Sequence, residues 1–474
     1  MVSPPEFRKI AHEFVDWMAD YLEQVEQYPV KSPVTPGAIL RQLPEHPPSA
    51  GEPMETLFAD FQRIIMPGIT HWQSPNFFAY FNANSSYPSL LAEMLTATLG
   101  TQCMIWETSP AAAELEERVM DWLGQMLGLP AGFVGVIHDT ASTATLCALL
   151  TAREVATQFA VNLEGLTGGE KLRVYCSEET HSSIEKAGKI MGIGKENVVK
   201  IATDPSLAMD AARLRAAIAQ DGEDGFIPMA VVATLGTTST TAVDPLPEIA
   251  DVCGTHKLWL HVDAAHAGTA LLLPEFRWMI EGISGVDSFV FNPHKWMFTN
   301  FDCTAYFVKN VELLVRTFEI LPEYLKTNPL GDVKNYRDWG IPLGRRFRAL
   351  KLWFVIRSFG VRGLQEKVRS HISWAQALSK EIIAHDAFEL MAPAPFNLVC
   401  FRYRPAGDEN TLDDLNQRLL TNLNKSGKVY LTHTRIRGCY ALRMCIGQTS
   451  TTPEHVKKAW NFIQATAAEM ELTS

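Results

Sequence analysis

The sequence has no run of 18 uninterrupted apolar residues, so no membrane-spanning helix is expected. An apolar signal core is missing too, because the first 28 residues carry Glu6, Lys9, Glu13, Asp16 and Glu23. There is no CxxC pair and no cysteine cluster with zinc-ligand spacing. The eight cysteines (Cys103, Cys147, Cys176, Cys253, Cys303, Cys400, Cys439 and Cys445) are scattered. That pattern predicts reduced thiols in a cytoplasmic protein and no metal centre. Positive charge is in deficit: 42 Lys and Arg stand against 53 Asp and Glu, for a net charge of -11. Such a surface repels nucleic acid and anionic lipid, so neither is expected as a partner. Internal repeats and low-complexity tracts are absent. The triplet Asn84-Ser85-Ser86 matches a glycosylation acceptor, a match without meaning unless the chain is exported.

What is present is core material. The 474 residues are 47% hydrophobic and include 24 Phe, 11 Trp and 11 Tyr, enough for two or three domains. Phe7, Ile10, Phe14, Met18 and Tyr21 recur at helical spacing, and that helix should end before Pro29. Val30 to Pro53 reads as a Pro-rich connector, and Met54 to Met66 as a second helical stretch. The two helices have too little apolar surface for a core of their own and should pack on something else, a partner subunit included. From about residue 90, helical runs alternate with short apolar runs at Val134–Ile137, Leu172–Cys176, Val198–Ile201, Met229–Thr234, Leu258–Val262, Ser288–Phe291 and Thr304–Val308. Alternation of this kind predicts an α/β fold with a mostly parallel sheet buried on both faces. A long helix carrying Leu364, Val368, Ile372, Trp374 and Leu378 then leads into strand-like runs at Leu398–Arg402 and Ala441–Cys445 and a last helix from Pro453 to Met470. The expected division is an N-terminal helical segment (1–85), a large α/β domain (86–360) and a small C-terminal α+β domain (361–474).

Three strand ends carry chemistry. Phe291-Asn292-Pro293-His294-Lys295-Trp296 places a lysine just after an apolar strand. Trp259-Leu260-His261-Val262-Asp263 ends a strand in an acid, and Gly135-Val136-Ile137-His138-Asp139-Thr140-Ala141-Ser142-Thr143 leads from a strand into hydroxyl residues at a helix start. A buried lysine near a cationic ring has a lowered pKa and can attack an aldehyde. An acid can keep a pyridinium nitrogen protonated. A helix N-terminus with free N–H groups suits a phosphate. Taken singly, each has a plainer reading, as a solvated loop Lys, a turn Asp or an N-cap. Together they lie where α/β folds build their sites.

The chain resembles the group II decarboxylases that depend on pyridoxal 5'-phosphate (PLP), close to the aromatic L-amino acid decarboxylases of fold type I. The resemblance covers nearly the whole chain. It rests on HWQSPNFFAYF (71–81), SPAAAELEERVMDWLGQML (109–127), THSSIEKAG (180–188), VVATLGTTSTTAVDP (231–245), LWLHVDAAHAG (258–268), DSFVFNPHKW (287–296) and IPLGRRFRALKLWFVIRSFGV (341–361). It implies a central seven-stranded sheet, Lys295 as the Schiff-base lysine, Asp263 as the pyridinium partner, and His181 and Ala265 on opposite sides of the cofactor ring. Thr140, Ala141, Ser142 and Asn292 fall at the family's phosphate positions, and Thr238 and His294 beside the cofactor and the substrate carboxylate. Tyr336 falls in a polar stretch from Thr327, with Pro329 and Gly331, and is expected to return a proton to Cα from a mobile loop. Trp72, Tyr80, Phe81 and Met104 match side-chain pocket positions, and aromatic walls favour a flat apolar substrate. The chain departs from animal relatives at Asn82, Ala83, Met104 and His266, so the preferred side chain stays open among Phe, Tyr, Trp, DOPA and His. The resemblance also implies a homodimer that swaps its N-terminal helices. The alternatives are an oxidative aldehyde synthase, which a Tyr at 336 disfavours, and a decarboxylase of another amino acid such as glutamate or histidine.

Overall fold

The computed structural model describes residues 2–320, 333–406 and 409–472. They form two compact units. One comprises Ala83–Gln376 and Ala392–Leu398, the other Met1–Asn82, Ala377–Met391 and Val399–Ser474. Thr327, Pro329 and Gly331 lie outside the described residues.

The larger unit is built on seven strands: β1 (Val134–His138), β2 (Leu172–Ser177), β3 (Val198–Ile201), β4 (Ile227–Thr234), β5 (Trp259–Asp263), β6 (Ser288–Phe291) and β7 (Thr304–Val308). Their spatial order is β1-β7-β6-β5-β4-β2-β3. The run β6-β5-β4-β2-β3 is parallel, and β7 is antiparallel to both of its neighbours. Every residue of β5, β6 and β7 is buried, as it must be in a sheet covered by helices on both faces. One covering helix, Ala141–Ala156, buries Ala144, Leu146, Cys147, Ala148 and Leu149. The long helix Arg348–Ile383 is interrupted at Gly360 (φ 65°, ψ 165°), a backbone state that L side chains rarely adopt.

A buried ion pair fastens this unit's front edge. Glu116 and Arg345 are 2% and 7% exposed and lie 2.5 Å apart. Glu116 also accepts the Ile137 N–H (2.8 Å), and Arg345 donates to the Ile137 and Cys103 carbonyls at 2.9 and 3.2 Å. Both charges are therefore hydrogen-bonded as well as paired, the condition under which a buried pair is tolerated.

The smaller unit holds the amphipathic helix Pro4–Gln24, the helix Met54–Asp60 and an antiparallel sheet. That sheet comprises β8 (Phe388–Leu390), β9 (Leu398–Tyr403), β10 (Thr432–Ile436) and β11 (Cys439–Cys445), in the order β10-β11-β9-β8. The first helix is sparsely buried, with Ile10 its buried residue, and it packs through rings: Phe14 stacks on Phe58 at 4.5 Å and Trp17 meets Phe61 edge-on at 5.4 Å.

Four buried imidazoles in the larger unit make its stability acid-sensitive. Burial pushes His138, His294 and His371 down to about 3 and His261 to about 4. Each stays neutral when folded but binds a proton when unfolded below about pH 6.5. Their stabilisation is full above that pH and is lost as pH falls towards 4. Asp244, pushed up to about 7 by burial, has the opposite slope and offsets one of them. The net loss should be roughly 4 kcal/mol per pH unit just below pH 6. Denaturant unfolding of the cofactor-free chain at pH 7.5, 6 and 5 checks this; equal stability at all three would contradict it.

Candidate active site

Successive carboxyl ends of parallel strands supply the chemistry. Thr180 and His181 follow β2, Thr238 follows β4, Asp263 closes β5, and Asn292 to Lys295 follow β6. β1 is antiparallel to β7, as β6 is, so its end at His138 and the helix start at Thr140 reach the same edge. Open parallel sheets bind ligands along that edge, where N–H groups and side chains are not consumed by the ladder.

Asp263 is 5% exposed, and its Oδ1 accepts the Ala265 N–H at 3.0 Å. No donor among the described residues reaches Oδ2. Lys295 is half-buried, on the one-turn helix Pro293–Trp296. Its N–H donates to the Asn292 carbonyl (2.9 Å), and its own carbonyl accepts from the Asn84 amide. Asn84 N–H also holds the His294 carbonyl at 3.1 Å. The neighbouring Trp296 is fully buried. It donates from Nε1 to His371 Nδ1 (3.0 Å) and stacks on His266 with ring centres 5.1 Å apart. His266 in turn is 2.8 Å from Asn397 Oδ1. Gly268 permits the turn after β5 to close on Phe291, since a Cβ there would lie 2.5 Å from the Phe291 Cβ.

His181 ties the acid and the amine to one place. Protein packed around its ring lowers its pKa, the Asp263 carboxylate opposes that shift, and the Lys295 ammonium adds to it. All three therefore share one electrostatic neighbourhood. The ring still has an exposed side, and its Nδ1 accepts from Ser183 N–H at 3.1 Å. Thr140 caps the helix Ala141–Ala156 by accepting the Thr143 N–H. The N–H groups of Ala141 and Ser142 precede any intrahelical acceptor, so they are open to an anion. Asn292 Oδ1 is 3.0 Å from the Thr304 hydroxyl, and its Nδ2 has no acceptor among the described residues. His294 is buried, and its Nδ1 accepts the Cys303 N–H (2.9 Å). Ala265 is partly buried, and Thr238 is exposed in the turn after β4.

These donors fit PLP. A lysine and a buried carboxylate with one oxygen uncommitted both act on the His181 ring, that ring has an open side, and a capped helix start has two spare N–H groups.

The Tyr336 hydroxyl makes no hydrogen bond to these groups. The residue is 2% exposed, in a single turn from Tyr336 to Asp338, edge-on to Trp339 at 5.1 Å and beneath the Arg345 guanidinium at 4.8 Å. Its hydroxyl is buried without a hydrogen-bond partner among the described residues, and burial pushes its pKa well above the usual phenol value. Removing an unsatisfied buried hydroxyl relieves a desolvation cost of about 1–3 kcal/mol. Tyr336→Phe should therefore unfold at the same temperature or higher, as a thermal melt would show.

Trp72, Tyr80 and Phe81 lie in the smaller unit and Met104 in the larger. Trp72 stacks on Phe77 (4.4 Å) and Tyr80 (5.7 Å), and Arg443 lies over Phe81 at 5.4 Å. The Met104 carbonyl accepts the Arg337 N–H at 2.8 Å. Asn82 donates to the Phe77 carbonyl (3.0 Å) and is 1% exposed, so its amide serves the fold. The sequence carries no signal for the part played by Asn84. Asn84 stands out there only as the start of a glycosylation triplet, and its partner Lys295 is 211 positions away.

The model of the pyridoxal-dependent decarboxylase conserved domain matches residues 36–404. Tyrosine decarboxylase 3 of Petroselinum crispum is 43% identical over 478 residues, covering 98% of this chain and 92% of that protein. Phenylacetaldehyde synthase of a Rosa hybrid cultivar is 43% identical over 481 residues, covering 98% and 94%. A crystal structure of Oryza sativa TDC with PLP and tryptamine superposes with a TM-score of 0.96 at 38% identity, covering 99% of each chain. With its sheet, its strand-end donors and these relatives in agreement, the chain belongs to the pyridoxal-dependent decarboxylase family.

Proposed function

We propose that the chain decarboxylates an aromatic L-amino acid to its amine and carbon dioxide, with PLP held through Lys295. The observation that carries this reading is the placing of His181, Asp263 and Lys295 at the carboxyl ends of β2, β5 and β6 of one sheet. When bound, PLP supplies an electron sink for the pair left at Cα. Asp263 accepts the ring N–H through its uncommitted oxygen and keeps that nitrogen cationic. His181 and Ala265 would hold the ring. The Ala141 and Ser142 N–H groups and the Asn292 amide hold the phosphate. Thr238 and His294 border the substrate carboxylate, and Lys295 exchanges protons with the substrate amine as it enters and leaves. Met104, in the same unit as these groups, would border the substrate ring.

Proton return to Cα is assigned to Tyr336. Its hydroxyl is costly to keep buried without a partner, which favours a swing of its turn towards a bound substrate. Tyr336→Phe should then divert product from amine towards aldehyde, ammonia and peroxide, with oxygen consumed. An unaltered amine yield would assign the proton to another group.

The helix Tyr87–Leu99 presents Tyr87, Leu91, Leu95 and Leu99 at four-residue steps, each between 46% and 67% exposed. An apolar stripe of this kind suits a homodimer. No disulfide links any of the eight cysteines, which fits a reducing, cytoplasmic setting. No described helix is long and apolar enough to cross a membrane.

Product analysis with PLP and a panel of aromatic L-amino acids tests the reading, with amine formation expected. Aldehyde formation with oxygen uptake by the unsubstituted enzyme would favour the second reading, an aldehyde synthase, to which the similarity with the rose enzyme lends weight. Turnover of glutamate or histidine alone would contradict both.

A further inference from the structure

Within the larger unit, one buried hydroxyl joins two strand ends that the proposed chemistry uses separately. β7 lies between β1 and β6 and runs antiparallel to both, so its first residue falls where those two strands end. That residue is Thr304. It pairs with His138, the last residue of β1, and the next residue, Ala305, pairs with Phe291, the last of β6. Thr304 is fully buried. Its hydroxyl donates to the Asp139 carbonyl (3.1 Å) and to Asn292 Oδ1 (3.0 Å), one hydrogen shared by two acceptors. The line of contacts continues from Asp139. Its Oδ1 accepts the Thr140 N–H at 2.6 Å, and Thr140 caps the helix Ala141–Ala156.

At Asn292 the consequence is one of direction. A carboxamide has an accepting end and a donating end, and a half-turn exchanges them. A hydroxyl hydrogen aimed at Oδ1 holds that end towards Thr304 and leaves Nδ2 as the end offered to an anion. Asn292 is 3% exposed, and Nδ2 has no acceptor among the described residues, so a donor there is costly to leave unmatched. At Asp139 the same hydrogen holds the carbonyl that precedes the helix start, where the Ala141 and Ser142 N–H groups are open. We propose that Thr304 is the positioning residue of the phosphate site: its hydroxyl aims the Asn292 amide and fixes the helix start, so that donors from two strand ends converge on one phosphate. This rests on the PLP reading above. Thr304 acts through Asn292 and Asp139, not on the phosphate itself.

The test titrates the cofactor-free protein spectrophotometrically with PLP and with pyridoxal, which has the same ring and aldehyde but no phosphate. The ratio of the two affinities isolates the phosphate's share, and the folded fraction cancels in it. Thr304→Val keeps the side chain's shape and removes its hydroxyl; Thr304→Ala removes it by a second route with less bulk. In either variant the advantage of PLP over pyridoxal should fall about 10-fold, the worth of one hydrogen bond to a charged group. Thr304→Ser keeps the hydroxyl and should retain the advantage. Affinities for both ligands that weaken equally, or not at all, in Thr304→Val and Thr304→Ala would make Thr304 a structural residue and overturn this inference while the PLP reading stands. An advantage lost in Thr304→Ser would overturn it too. Unsubstituted protein that binds pyridoxal as tightly as PLP would overturn the placing of the phosphate, and this inference with it.

Discussion

Lys295→Ala should abolish the visible absorbance of the lysine-bound cofactor and reduce decarboxylation by at least about 10²- to 10⁴-fold, the range for losing one positioned proton-transfer group. The expectation follows from how firmly the chain holds this residue. Its carbonyl is held by Asn84, its N–H by Asn292, and its neighbour Trp296 is clamped between a stacked His266 and a hydrogen-bonded His371. The backbone therefore cannot readily swing another amine into place. Asn84, Asn292 and Trp296 are untouched by the substitution, so the variant should fold and should retain PLP only weakly. Spectrophotometric titration of the cofactor-free protein separates lost attachment from lost folding. A variant with unaltered absorbance and turnover would remove Lys295 from the mechanism.

Asp263→Asn should be nearly as severe, for an electrostatic reason. The substitution preserves shape and the Ala265 N–H contact but removes the negative charge. Leaving a buried cation without its partner costs about 3–5 kcal/mol, which is roughly 10²- to 10⁴-fold in rate or affinity. Loss of the charge should also lower the His181 pKa further, because Asp263 opposes its present depression. Steady-state decarboxylation, PLP affinity and an NMR titration of the His181 ring report these effects independently. If Asp263→Asn kept wild-type turnover and cofactor affinity, the pyridinium partner would have to be sought elsewhere.

Both residues are legible in the amino-acid order, because each lies in a local pattern: an apolar strand followed at once by a reactive side chain. All seven strand-like runs of the α/β segment are strands of one sheet, within a residue or two of their expected bounds. Their lengths and apolar continuity depend only on nearby sequence, and a doubly covered sheet accepts nothing else. In the C-terminal part, β8 and β10 have no counterpart among the expected strands. β8 has three residues, and β10 reads Thr-His-Thr-Arg-Ile with its polar residues largely outward, so neither shows as an apolar run.

What the amino-acid order determined by itself was therefore the sheet, the helix start at Thr140 and the placing of Lys295 and Asp263 at strand ends, since burial pattern and capping are local properties. Only the tertiary structure decided that Asn84 anchors Lys295, that His266 supports Trp296, and that Tyr336 is buried under Arg345. It alone revealed that Tyr80 meets a phenol 350 positions away. Those pairings are made by chain reversals across long stretches of sequence, and no periodicity encodes a contact between two polar side chains so far apart.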